Sequence, residues 1–393
     1  MKDFTFLSST KVIFGRGSAD DVGAEIQAYS PKKVLIHYGG GSAIRSGLLG
    51  KVTSSLDKHG IAHIELGGVE PNPKVGLVRE AVALCKKEGV DFIIAVGGGS
   101  VIDSAKCTAF SVANDADPWD IVTGTVPAKA ILPLAVIPTI AAAGSETSNS
   151  HVISNPEIPF KKGLNNEMAR PKIAFMDPQN TFTVSKYQTG CGIVDIMMHT
   201  FERYYTSDPD TELTDRLAEA LLLSVKNAGY IAVREPENYE ARATLMWASS
   251  LSHNGLMGCG KKYKCFPAHR MEHSISALFD SVAHGAGLSV LYPAWAKYVY
   301  KYDVRRFCQT AVRIWGIPMN FEHPERTAMA GIETMRHYFK SIGMPVKLSE
   351  LGVGPDAYEA IASNATNGDT VPVASYIPLG NAEIMDIFKL TEE

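Results

Sequence analysis

Cysteine is scarce and unpatterned in this chain: Cys85, Cys107, Cys191, Cys259, Cys265 and Cys308 are scattered over 393 residues with no C-x-x-C spacing. A disulfide framework or a cysteine-built zinc site is therefore a poor reading, and buried or partly buried free thiols are the better one. Positive charge is not in excess either, since 38 Lys and Arg stand against 42 Asp and Glu for a net charge of -4. No electrostatic footprint for nucleic acid or an anionic membrane follows from that balance. No uncharged apolar run approaches the roughly 20 residues that span a bilayer. The opening MKDFTFLSST lacks the apolar core and small-residue cleavage site of a secretory leader. A cytoplasmic protein is expected. Internal repeats and low-complexity segments are absent, and the remaining composition is that of a globular protein. At this length one ordinary core does not suffice, so two domains are expected.

The first half alternates short β-branched runs with helical stretches. Residues 12–14, 34–36, 61–66, 92–96, 134–137 and 173–176 read as strands, and 18–29, 43–58, 74–88 and 101–113 as helices between them. This is the pattern of an α/β fold with a parallel sheet covered on both faces. Beyond Asp177-Pro178 the period is helical almost throughout: 186–205, 209–233, 237–257, 267–279, 284–301, 303–314, 324–341 and 355–363. The expected division is an N-terminal parallel-sheet dinucleotide-binding domain, 1–183, and an all-helical C-terminal metal-binding domain, 184–393.

Two of the strands end in the same tetrapeptide, Gly39-Gly-Gly-Ser42 and Gly97-Gly-Gly-Ser100. Glycines there let backbone N–H groups approach a phosphate, and the positive end of the following helix points at the same place. Ile44 and Ile102 stand where G-x-G-x-x-G requires its third glycine, so the ordinary dinucleotide fingerprint is incomplete. The alternative is a pair of tight strand-to-helix turns. Ser100 to Asp103 also fits a capping box that needs no ligand. After the fifth strand, Pro138-Thr139 and the small and hydroxyl residues through Thr147 suit hydrogen bonds to a nicotinamide or ribose, with a plain polar loop as the alternative. Lys161 and Lys162 read as a solvated pair unless something else points to them.

In the second half, Asp195-x3-His199 and His269-x3-His273, with His284 following, supply a carboxylate and up to four imidazoles. Residues four apart share one face of a helix, so each pair can address one ion. An unbroken helix would hold His269 and His284 roughly 22 Å apart at about 1.5 Å per residue, so a bend is expected at Ser281 to Gly285. Oxygen and imidazole donors of this kind suit a catalytic divalent metal. The other histidines lack such company and read as structural, with His151 a candidate to line a cleft.

The set GGGS-x2-D-x-x-K at 97–106, PT-x4-GSE at 138–146, D-x3-H at 195–199 and H-x3-H-x10-HG at 269–285 resembles the iron-containing, or group III, alcohol dehydrogenases over nearly the whole chain. Tyr38-Gly-Gly-Gly-Ser42 and His-Arg-Met-Glu-His point within that family to the butanol dehydrogenase and broad-range aldehyde reductase branch. The resemblance implies metal ligation by Asp195, His199, His269 and His284, with His273 a catalytic neighbour of the metal and nicotinamide. It implies pyrophosphate contacts from Gly98, Gly99 and Ser100, nicotinamide-side contacts from Asp103, Thr139 and Ser145, and adenosine-side contacts from Gly40, Ser42 and Lys161. Relatives strict for NAD carry an acidic residue after the second strand, where this chain has Gly40 or Gly41 with Ser42 and Arg45 nearby. NADP(H) is therefore favoured, with NAD(H) the other candidate. Two departures from the pattern, Gly258 to Phe266 and the turn Phe279 to Ala283, bear on the shape of the substrate cleft.

The implied activity is hydride transfer between a nicotinamide and a small primary alcohol or aldehyde, in a homodimer, on a metal taken as Fe(II) in preference to Zn(II). The metal acts as a Lewis acid and the cofactor performs the hydride chemistry. One alternative is a dehydroquinate-synthase-like or polyol-phosphate enzyme of the same architecture, which needs a basic pocket that Arg203, Lys261, Lys262, Lys264 and Arg270 would have to supply. The other is a non-catalytic protein whose metal ties helices together.

Overall fold

The computed structural model describes every residue except Pro159, Tyr263 and Lys264. Two compact units emerge, one of Leu7–Val184 with Pro236–Asn254, the other of Met1–Phe6, Ser185–Glu235 and Gly255–Glu393.

The first unit runs β1 (Lys11–Phe14), α1 (Val22–Ile26), β2 (Lys33–Tyr38), α2 (Ser42–Arg45), α3 (Leu48–Lys58), β3 (Ala62–Leu66), α4 (Val75–Glu88), β4 (Phe92–Gly97), α5 (Gly99–Asn114), α6 (Pro118–Thr123), β5 (Leu134–Pro138), β6 (Ser150–Asn155), β7 (Phe160–Asn165) and β8 (Ile173–Met176). Six strands form one parallel sheet in the order β1-β8-β5-β4-β2-β3, and β6 and β7 pair separately as an antiparallel hairpin. Because side chains alternate across a strand, the sheet buries two apolar layers. Val34, Ile36, Phe92, Ile94, Val96 and Ile137 enter one, with Val22, Val52 and Leu56 of the covering helices. Leu35, Ile93, Ala95, Val136 and Ala174 enter the other, with Ile102 and Ala105 of α5. Covering both faces is what makes β4 and β5 continuous apolar runs.

The second layer also takes in Met246. That side chain explains why α9 (Tyr239–His253) groups with the sheet despite following it by sixty residues. The second unit contains α7 (Lys186–Tyr204), α8 (Glu212–Ala232), α10 (Pro267–Leu278), α11 (His284–Val299), α12 (Val304–Arg313), α13 (Pro324–Ser341), α14 (Tyr358–Ala365) and α15 (Asn381–Leu390).

Several expectations change. The helix expected over 43–58 is two, broken by Gly47 in the left-handed region at φ 75°. That expected over 18–29 shortens to α1 and a 3-10 turn. The capping box at Ser100 does not form: α5 begins at Gly99 without a side-chain cap, because both Asp103 oxygens are occupied elsewhere. The bend before His284 lies where expected, between the end of α10 and the start of α11.

Candidate active site

One helical pair, Asp195 and His199, meets His269 and His284 at a single carboxylate oxygen. Asp195 Oδ1 on α7 lies 3.4 Å from His199 Nδ1, 3.5 Å from His269 Nε2 and 3.8 Å from His284 Nε2. Asp195, His199 and His269 are buried, while the His284 side chain is 25% exposed. The local sequence dictates this meeting. Ser185 caps the start of α7 by accepting from Gln188 N–H, and its regular helix then puts Asp195 and His199 one turn apart on one face. Pro267 opens α10, with His269 in its first turn. A Cβ at Gly285 would lie 2.1 Å from the Cys191 carbonyl oxygen, so only glycine lets the first turn of α11 come this close to α7. His284, the first residue of α11, is thereby delivered to the cluster.

His269 of α10 and His284 of α11 each have the other ring nitrogen held. His269 Nδ1 donates to Glu202 and His284 Nδ1 donates to Glu272, which orients Nε2 of both rings toward Asp195. Burial opposes charge on His269, yet Glu202 and Asp195 outweigh it and hold that imidazole up at about 9. Asp195 Oδ1 and His269 Nε2 are buried without a hydrogen-bond partner among the described residues. Buried polar atoms in that state are costly unless something satisfies them. A divalent cation would do so: one carboxylate oxygen and three imidazole nitrogens converging within a few ångströms fit Fe(II) or Zn(II). His273, on the next turn of α10, stands beside this group with its ring 5.4 Å from that of His284 and 6.3 Å from that of His269.

In the sheet unit, β2 and β4 are neighbours whose crossovers leave in opposite directions, β2 toward β3 and β4 toward β5. Open parallel sheets bind ligands outside the carboxyl ends of such a pair. Both glycine loops lie there, Gly39 to Ser42 after β2 and Gly97 to Ser100 at the end of β4. The loop after β5 packs against the second: Thr139 N–H donates to Gly97 O at 3.1 Å. A Cβ at Gly98 would meet Ile140 at 2.8 Å, and one at Gly99 would meet Ala143 at 3.1 Å. Gly40 and Ser42 are exposed, and Gly98, Gly99, Ser100 and Thr139 partly so.

Asp103, Ser145 and Lys161 belong to this unit but face inward. Ser145 Oγ donates to Asp103 Oδ1 at 2.6 Å, and Val152 N–H donates to Asp103 Oδ2 at 3.0 Å. Lys106, fully buried, donates to Ser145 O at 2.7 Å, Ser150 O at 2.8 Å and Ser148 O at 3.0 Å, tying the whole loop to α5. Burial pulls its ammonium down to about 8, although Asp103 and Glu146 act to keep it charged. Lys161 is not a solvated lysine: it is buried and donates to Asn72 Oδ1 at 3.0 Å, whereas Lys162 is exposed. His151 lines no opening, being fully buried and stacked on Phe110 at 5.6 Å.

Lys106, Glu202 and Glu272 carry no role in the sequence reading. Their signal was helical spacing: Glu202 is three residues past His199, Glu272 three past His269 and Lys106 three past Asp103. The cations that a phosphate-binding alternative requires are engaged within the helical unit. Lys261 Nζ contacts Asp215 and the Arg203 carbonyl, both at 2.9 Å, and Arg270 Nε donates to Ala365 O at 2.9 Å. Arg203 donates to His199 O at 2.7 Å and lies over the Phe266 ring. Lys262 is exposed, and Lys264 lies outside the described residues, as does Tyr263 in the same unusual segment.

Residues 9–178 match the family described as iron-containing alcohol dehydrogenase, and residues 189–391 match the C-terminal part of the Fe-containing alcohol dehydrogenase family. The chain is 41% identical to NADH-dependent butanol dehydrogenase A of Clostridium acetobutylicum over 99% of both chains. It is 34% identical to the NADPH-dependent aldehyde reductase YqhD of Escherichia coli over 92% of each. A solved structure of NADH-dependent butanol dehydrogenase A from Thermotoga maritima is similar with a TM-score of 0.95 at 35% identity, covering 100% of this chain and 99% of that one. The chain belongs to the iron-containing alcohol dehydrogenase family, in its butanol dehydrogenase and aldehyde reductase branch, and is an oxidoreductase of that kind.

Proposed function

We propose that this enzyme reduces small aliphatic aldehydes of the butyraldehyde type, with NADP(H) preferred to NAD(H), at a centre where Asp195, His199, His269 and His284 hold Fe(II) or, second, Zn(II). The observation that carries the reading is the convergence of three imidazole nitrogens on Asp195 Oδ1 in a buried site. When bound, the metal supplies Lewis acidity toward a carbonyl or hydroxyl oxygen, and the nicotinamide gives or takes the hydride. His273 moves the hydroxyl proton at a ring nitrogen, a task suited to an imidazole, which can both give and take a proton. Gly98, Gly99 and Ser100 present backbone N–H groups to the pyrophosphate, and Gly40 and Ser42 serve the adenosine side together with Lys161. Thr139 contacts the nicotinamide side, while Asp103 and Ser145 shape the loop that meets it.

The cofactor preference rests on charge. Residues 39 to 45 contain no carboxylate, and a Cβ at Gly41 would lie 2.3 Å from Arg45 Nη1, so this guanidinium lies over the loop, where it favours a 2'-phosphate. The kcat/KM ratio for the two cofactors tests this, and a higher value with NADH overturns it. The activity itself is tested by anaerobic oxidation of NADPH with butyraldehyde, with Fe(II), Zn(II) or no metal added. Turnover restored by one of the metals is expected, and its absence under every metal sinks the reading. A cytoplasmic homodimer is the accompanying expectation. β1 is an edge strand paired only to β8 among the described residues, with Phe4 53% exposed ahead of it. Sedimentation at the monomer mass would refute the dimer.

A further inference from the structure

The centre contains two carboxylates that the proposed chemistry does not use. Glu202 is 2% exposed and Glu272 0% exposed, and a carboxylate taken that far from water costs several kcal/mol unless it is compensated. Glu202, on α7, accepts from Ala268 N–H at 2.7 Å, from His269 N–H at 3.4 Å and from His269 Nδ1. Because α10 opens with Pro267 and has no side-chain cap of its own, Glu202 satisfies its first free N–H groups from a different helix and in the same act holds the ring of His269. Glu272 sits one turn along α10 and accepts from Ser276 Oγ and His284 Nδ1. Space for it comes from α11, where a Cβ at Gly287 would lie 2.7 Å from Glu272 Cγ.

We propose that Glu202 and Glu272 are positioning residues of the metal centre, each fixing the tautomer and aim of one ligand imidazole and together adding two negative charges around the cation. This rests on the assignment of His269 and His284 as ligands. A carboxylate that accepts from Nδ1 requires the proton on that nitrogen, which leaves the Nε2 lone pair for the metal and raises its basicity. The two residues differ in what else depends on them. Glu202 also supports the start of α10, so its loss affects the helix as well as the ligand. Glu272 acts across the α10–α11 contact, so its aim depends on the absence of a side chain at Gly287.

The test uses full-length protein stripped with a chelator and titrated with Co(II), read by visible absorption and by competition with an indicator dye. Far-UV circular dichroism monitors the fold. Glu202→Gln and Glu272→Gln should each weaken binding about 10- to 100-fold, the scale for loss of such a partner, and shift the Co(II) absorption. Gly287→Ala keeps every ligand and both carboxylates and should shift the same band by displacing Glu272. Affinity and spectrum within twofold of the parent in all three variants overturn the inference. Asp195→Ala separates the two levels: if it too binds Co(II) normally, the ligand assignment itself falls. If only Asp195→Ala loses the metal, the positioning role alone falls.

Discussion

At the scale of single residues, the site separates side chains that hold from side chains that act. His273 stands beside His284 without joining the convergence on Asp195, the position expected of a proton carrier. His273→Ala should lower kcat about 100-fold or more while leaving metal content at the parent level. A parallel loss of metal would make His273 a ligand instead. Lys106 is of the holding kind, since its ammonium replaces water for the carbonyls of Ser145, Ser148 and Ser150. Lys106→Met leaves the buried Glu146 and the partly buried Asp103 without that cation. It should cost about 3–5 kcal/mol in urea denaturation, and a change under about 1 kcal/mol would contradict the account. Spacing exposed Asp195, His199, His269, His273 and His284 because i,i+4 pairs of rare donor residues stand out. Glu202 and Glu272 stayed hidden because a glutamate three residues past a histidine on a helix is commonplace, and that spacing gains meaning only once both are seen to be buried.

Among elements, the legible ones are those whose packing is uniform. β4 and β5 are buried on both faces and read as apolar runs, and the long helices α8 and α13 alternate a buried and an exposed face along their length. The hairpin β6–β7 was missed because SHVISN and FKKGLN carry polar residues on both faces and lie outside the parallel sheet, joined to each other. α9 was read as a helix, yet its attachment to the sheet through Met246 has no local signal. Close approach of helices is equally invisible, since Gly285 looks like any helix-weakening glycine until the Cys191 carbonyl appears 2.1 Å from where its Cβ would be. Gly285→Ala must push α11 away from α7, at a cost of about 1–3 kcal/mol for overpacking. It should also move His284 and weaken metal binding, although no ligand is changed. Equilibrium dialysis against Zn(II) measures this, and unchanged affinity would mean that α11 reaches the centre with slack.

On the scale of the whole molecule, stability should fall in mild acid because the sheet unit buries neutral histidines. His37 is fully buried between Leu66 O at 3.0 Å and Ser104 Oγ at 2.8 Å, and burial pulls its pKa from 6.5 down to about 4 despite the backbone contact. His151, enclosed beside Phe110, is pulled down to about 3 by burial and then by Lys106. Above pH 6.5 these rings are neutral whether the chain is folded or unfolded, so their effect is flat. As pH falls below 6.5, the unfolded chain takes up protons that the folded rings refuse, and unfolding becomes more favourable. For His37 the loss reaches roughly 3 kcal/mol by about pH 4, at about 1.4 kcal/mol per pKa unit. Urea midpoints between pH 7 and pH 5 should therefore drop for the parent, and His37→Gln should remove up to one proton from that dependence. Gln offers a donor to Leu66 O and a group for Ser104 without a titration, so the comparison isolates protonation from the lost ring. An identical slope in both proteins would mean that His37 takes its proton while folded, and that the contact between β2 and α5 opens before the sheet unit unfolds.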